Sequence, residues 1–176
     1  MKKAKTANND EIRRVQATLF IDEPYKKTIE EIRRKYNPVQ YSLIGCHITL
    51  LRDDELTDVE KVTKNLSELN EQTLEIDFGK LRRSDDGKGV LIEGKGSHHS
   101  FHSLRGKLLA NTGINNISIL HPHITLIHPR NGNCTDEIFE ELKKQKLPSK
   151  ISFKTVSIIE QLNGGKWNIV NQFNLK

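Results

Sequence analysis

Hydrophobic positions along the chain fall into short segments of two different periods. Residues 15–21 form an apolar run that reads as a strand. Asp22-Glu23-Pro24 follows as a helix start, with a cap residue, an acidic first turn and an early proline. Ile29, Ile32 and Tyr36 recur at three- and four-residue spacing, so the helix reaches about Tyr36 and stops at Asn37-Pro38. A loop containing Tyr41 leads into a second apolar run, residues 43–51. Beyond a polar loop at 52–55, Thr57 and Glu60 have capping-box spacing, and Val59, Val62, Leu66 and Leu69 carry the next helix. Residues 74–78 alternate as a strand. Residues 84–87 are turn-formers, and residues 89–93 complete a predicted hairpin.

The second half repeats this order. Ser97 can cap a helix through Phe101, Leu104, Leu108 and Leu109 that ends near Gly113. An apolar run at 119–127 is followed by the loop 129–133. Thr135 can cap a helix carrying Ile138, Phe139 and Leu142, with Pro148 ending it. Residues 151–160, Asn163-Gly164-Gly165 and residues 167–173 read as a last hairpin. Each half gives strand, helix, apolar strand, helix, strand. This predicts an α+β fold in one domain, residues 1–176, with residues 1–11 as a flexible tail. Two internally similar lobes, at about 12–80 and 88–176, are expected to carry antiparallel-rich sheet with helices outside, related by a rough twofold.

The middle apolar strand of each half contains the same tetrapeptide: His47-Ile48-Thr49-Leu50 and His123-Ile124-Thr125-Leu126. Residues two apart on a strand share a face. Each strand therefore presents an imidazole and a hydroxyl on one face and two core hydrophobes on the other. One such motif is a weak signal. Two copies, matched at all four positions and each set in a hydrophobic strand, point to two facing strands across a central cleft. Two imidazoles there suit paired acid–base chemistry, because histidine titrates near neutral pH. Two hydroxyls suit the non-bridging oxygens of a phosphodiester, whose charge must be held in the transition state. This chemistry calls for no metal and no cofactor.

Composition narrows the picture only a little. The formal charge is +5, compatible with a phosphate-bearing ligand and equally with a lysine-rich solvated surface. No run is long enough to span a bilayer and no signal-peptide core follows the basic start, so no membrane partner is expected and a cytoplasmic, monomeric protein is the simplest reading. The two cysteines, Cys46 and Cys134, lack metal-ligand spacing; Cys46 lies on the strand face opposite His47 and reads as core.

These residues resemble the signature of the 2H phosphoesterases, the group that includes 2'-5' RNA ligase-like proteins and phosphodiesterases that open 2',3'-cyclic phosphates. The stretch Ala17-Thr18-Leu19-Phe20-Ile21-Asp22-Glu23-Pro24 also looks like the first strand and helix start of that family. The resemblance covers nearly the whole chain. It implies His47 and His123 as the catalytic pair and Thr49 and Thr125 as phosphate ligands. It further implies, as substrate, a nucleotide or RNA with a cyclic phosphate or a 2'-5' linkage. In some relatives the third residue after the second hydroxyl is aromatic and lies near the substrate; here it is His128. Arg130 can contact phosphate or sugar, and Tyr41 and Trp167 can stack on a base.

Two other readings compete. His121 and His123 share a strand face, His128 is near, and His98, His99 and His102 start a helix. That set allows a metal site, but no carboxylate with matching spacing joins it. The other reading is a module that binds RNA ends without catalysis, against which stand the intact histidines and hydroxyls of both motifs. 2'-5' ligation or cleavage of 2'-5' oligonucleotides also fits the same residues.

Overall fold

The computed structural model describes residues 12–176; the tail expected at 1–11 lies outside them. The elements run β1 (Arg13–Phe20), α1 (Tyr25–Tyr36), α2 (Pro38–Leu43), β2 (His47–Leu51), α3 (Val59–Ser67), β3 (Leu74–Arg83) and β4 (Val90–Gly94). They continue with α4 (His99–Leu108), β5 (His123–Ile127), α5 (Asp136–Lys143), β6 (Lys150–Phe153), β7 (Thr155–Leu162) and β8 (Trp167–Asn174). Two four-stranded sheets result, ordered β2-β1-β7-β8 and β5-β4-β3-β6. Every pairing between neighbouring strands is antiparallel. The two orders correspond strand for strand, each with its motif strand at one end, as the α+β, two-lobed reading requires.

The lobes are not the two halves of the chain, however. β1 pairs with β7 from Arg13 against Leu162 to Thr18 against Ser157. The first lobe is therefore built from both the start and the last strands, and the second sheet from the contiguous middle, β3 to β6. The divisions at 12–80 and 88–176 are corrected accordingly. The physical cause sits at Lys154. Residues 151–160 look like one strand by pattern, but the chain leaves one sheet after Phe153 and joins the other at Thr155.

Other local differences have similarly local causes. The loop around Tyr41 is the short helix α2, begun by Pro38 at its first position, where a missing N–H costs nothing. Asp58, not Thr57, caps α3; its carboxylate accepts from the Lys61 N–H at 2.9 Å. His98, in the left-handed region at φ 54°, precedes α4 in place of a Ser97 cap, and α4 ends at Leu108 rather than near Gly113. Pro24, not Asp22, stands at the N-cap of α1, with no side-chain cap bond; the Asp22 carbonyl accepts from the Lys26 N–H. α5 stops at Lys143, five residues ahead of Pro148. The Thr135 cap is as expected, accepting from the Ile138 N–H.

One continuous core fills the molecule between sheets and helices. It takes Val15, Ala17 and Leu19 from β1, Ile48 and Leu50 from β2, Ile124 and Leu126 from β5, and Phe101 and Leu108 from α4. Alternation on β1 leaves Arg14, Gln16, Thr18 and Phe20 on the opposite face. No helix among the described residues is long and apolar enough to cross a membrane.

Candidate active site

β2 and β5 meet where the two sheets abut. Ile48, Leu50, Ile124 and Leu126 are fully buried, while His47, Thr49, His123 and Thr125 are half-buried on the other face. All four line a single cleft of about 570 Å³. The alternation expected of each tetrapeptide therefore holds, and the two motifs open into one space.

Both imidazoles are held in the same way. His47 Nδ1 lies 2.7 Å from the Gly45 carbonyl, and His123 Nδ1 lies 2.9 Å from the His121 carbonyl. A carbonyl can only accept, so in each case Nδ1 carries the proton and donates it. Nε2 is left as the working nitrogen of both rings, able to take a proton when the ring is neutral and to give one when it is charged.

The surroundings of the two rings differ. Across the β1–β2 ladder His47 is paired with Phe20, and the rings meet edge to face with centroids 6.1 Å apart. Burial is the main cause that pushes the His47 pKa down, to about 4, with the Arg33 charge and the neighbouring imidazoles of His123 and His128 acting in the same direction. Across the β4–β5 ladder His123 is paired with Glu93, whose carboxylate binds Arg82 at 3.0 Å. Burial also raises the Cys46 thiol, to about 12, so this neighbour of His47 is an inert core residue.

Of the four further site residues expected from sequence, His128, Arg130 and Trp167 line the cleft. Tyr41 does not; it stands exposed on α2, turned out by the helix that replaces the expected loop. His128 Nδ1 accepts the Arg130 N–H at 3.1 Å, which leaves its Nε2–H free as a donor. Burial, then the Arg130 charge, lower its pKa, so the neutral ring is favoured. The loop carrying both residues is tied to the first lobe by Asn37. The Asn37 side chain accepts from the His128 N–H at 2.8 Å and donates to the Asn131 carbonyl at 3.0 Å.

Several lining residues escaped the sequence reading: Arg14, Gln16, Arg33, Gln40, Asn131 and Gln161. Arg14 lies over the Trp167 ring at 5.4 Å and is braced by Asp53 at 2.6 Å. Its only sequence signal is alternation with Val15 and Ala17 on a strand whose face could not yet be assigned. Among the described residues no aspartate or glutamate lines the cleft, while three arginines and three histidines do. Its potential therefore favours an anion. Also among the described residues, no three His, Cys, Asp or Glu side chains gather in a group fit to hold a metal ion.

The model of the 2'-5' RNA ligase superfamily matches residues 21–165. The chain belongs to that superfamily. This places it among the 2H phosphoesterases, enzymes of phosphoesterase and ligase type. Several solved structures share its fold. Apo LigT of E. coli superposes with a TM-score of 0.66 at 11% identity, covering 93% of this chain and 98% of that one. E. coli LigT complexed with 3'-AMP gives 0.63 at 12% identity, with the same coverage. TT0787 of Thermus thermophilus gives 0.54 at 13% identity, covering 92% of this chain and 97% of that one. A search of curated proteins finds no match.

Proposed function

We propose that this superfamily member is a metal-independent phosphodiesterase that opens a 2',3'-cyclic phosphate on a nucleotide or RNA end. The observation that carries the reading is the matched pair of Nδ1–H bonds to carbonyls, which leave two Nε2 atoms free beside two threonine hydroxyls in one cationic cleft. His47 is the general base. Its ring, with the pKa lowered to about 4, is neutral at pH 7, so Nε2 can take a proton from water. The water oxygen bonds to phosphorus as the bond to one ribose oxygen breaks. His123, as the general acid, gives its Nε2 proton to that leaving oxygen. Thr49 and Thr125 donate to the non-bridging oxygens as charge grows there. The product is a phosphomonoester beside a free hydroxyl, and proton exchange with water resets both rings. Trp167, braced by Arg14, offers an aromatic face for the base. His128 offers a neutral Nε2–H donor and Arg130 a cation.

The test is a panel of phosphodiesters given to EDTA-treated protein, with products resolved by chromatography. It should include 2',3'-cyclic mononucleotides, RNA ending in a cyclic phosphate, and 2'-5'-linked dinucleotides. Turnover of the cyclic ends should survive EDTA. Loss of turnover restored by one divalent metal would overturn the mechanism, and exclusive cleavage of 2'-5' linkages would overturn the substrate.

A further inference from the structure

The carbonyl that orients His47 belongs to a segment that is itself held by a buried ion pair. Glu30 and Arg33 lie one turn apart on α1, and Arg33 Nη1 donates to Glu30 Oε2 at 2.6 Å. Arg33 is only 2% exposed. Each partner also grips the backbone just ahead of β2. Glu30 Oε1 accepts the Cys46 N–H at 2.5 Å, and Arg33 Nη2 donates to the Ile44 carbonyl at 2.7 Å. Ile44 and Cys46 flank Gly45, whose carbonyl receives the His47 Nδ1 proton. Peptide groups are planar, so fixing the Ile44 carbonyl and the Cys46 N–H fixes the planes on both sides of Gly45. The Cys46 N–H and the Gly45 carbonyl belong to one peptide plane; holding the first aims the second.

We propose that Glu30 and Arg33 are positioning residues for His47: through the Gly45 carbonyl they set its tautomer and present Nε2 to the phosphodiester. Among the described residues the motif at β5 has no such pair. There the backbone does the work: Gly94 N–H donates to the Pro122 carbonyl at 2.8 Å, and a side chain at Gly94 would sit 2.7 Å from that oxygen. Pro122 fixes its own φ between His121, the acceptor, and His123. Charged and titratable groups near His47 are Glu30 and Arg33 from α1, and His123 and His128 from β5 and the loop after it.

The inference rests on the proposed role of His47, but its decisive readout needs no substrate. Long-range ¹H–¹⁵N correlation spectra of histidine-labelled protein, recorded where both rings are neutral, report each tautomer. Wild type should show the Nδ1–H form at both His47 and His123. The double variant Glu30→Met with Arg33→Met removes both charges, so neither is left buried alone. It should show mixed tautomers at His47 and an unchanged His123. On a verified substrate kcat should fall about ten- to hundredfold, the scale seen when a metal-bound imidazole loses the partner of its other ring nitrogen, with KM moving less. Glu30→Gln keeps an oxygen for the Cys46 N–H and should lie between the two. A pure Nδ1–H His47 in the double variant, or equal change at both histidines, would overturn the proposal. If the double variant does not fold, Glu30→Gln decides on the same two spectra. A wild type inactive on every phosphodiester would sink the proposed function and leave the tautomer result standing.

Discussion

His47 and His123 occupy the same tetrapeptide, the same strand position and the same tautomer, yet they stand in different surroundings. His47 faces Phe20 and is held through a buried ion pair; His123 faces Glu93 and is held by a proline and a glycine contact. The repeated motif thus specifies geometry, while residues outside it give each copy different surroundings. A duplication delivers two equivalent imidazoles, and acid–base catalysis needs two inequivalent ones. The difference is made by the neighbouring strand and helix in each lobe.

The comparison breaks most sharply at the histidines themselves. His47→Ala and His123→Ala should each lose about 10²–10⁴-fold in kcat, the usual worth of a general acid or base. The double variant should lose less than the product of the two, because residues acting as a unit are non-additive. A substrate whose leaving group needs no proton should rescue His123→Ala and not His47→Ala; the reverse would exchange the two roles. Next come Thr49→Ala and Thr125→Ala, each expected to cost about 10²–10³-fold without unfolding, as for lost transition-state donors. Normal turnover in both would end their assignment as phosphate ligands.

Stability against pH sharpens the comparison from another side. The folded His47 pKa of about 4 lies below its ordinary 6.5. The unfolded chain therefore takes up this proton first as pH falls. The His47 contribution is complete above about 6.5 and is lost as pH drops toward 4. His128 and His102 are lowered too, also through burial, and act in the same direction. Urea midpoints between pH 7 and 4.5 should fall in wild type and fall less in His47→Asn; identical slopes would remove His47 from the account. Asn37→Ala should destabilise by about 1–3 kcal/mol, since it strands the part-buried His128 N–H and the Asn131 carbonyl. It should also raise KM, because that side chain ties the two lobes at the cleft. The smallest effect belongs to Thr18→Val. The Thr18 hydroxyl is buried opposite Thr49 and has no hydrogen-bond partner among the described residues. Removing it should change stability by no more than about 0.5 kcal/mol and should not destabilise; a large loss would reveal an unseen partner such as water.

What could be read in the sequence was what repeats or alternates locally. The tetrapeptides, the hairpin of β3 and β4, and the Thr135 cap depend on neighbours within a few residues. α2 was hidden because six residues are too few to show a helical period. The β6–β7 division was hidden because a single residue, Lys154, separates the two strands, and its only local mark is the break in alternation at Lys154-Thr155. Arg33, Asn37 and Arg105 look like surface residues, and burial of such groups is visible only through distant partners. Arg105, for example, is fully buried on α4, paired with Glu55 at 2.6 Å and bonded to the Leu50 carbonyl of β2. Arg14 and Gln16 reach the cleft because β1 pairs with β2 and β7, a register that no local pattern encodes.

The crossing at Lys154 also gives the chain a timetable. β3 to β6 are contiguous, so their sheet can form while the rest is still being synthesised. β1 must wait for β7, whose Gln161 pairs with Arg14 from 147 positions further along the chain. At about 5–20 residues per second that delay is on the order of ten seconds. Throughout it the first motif strand has left the ribosome with only β1 of its own sheet beside it. The cleft between the two motifs is therefore a late product of synthesis, and a nascent chain stalled after β6 would carry both histidines without the sheet that turns the first toward the second.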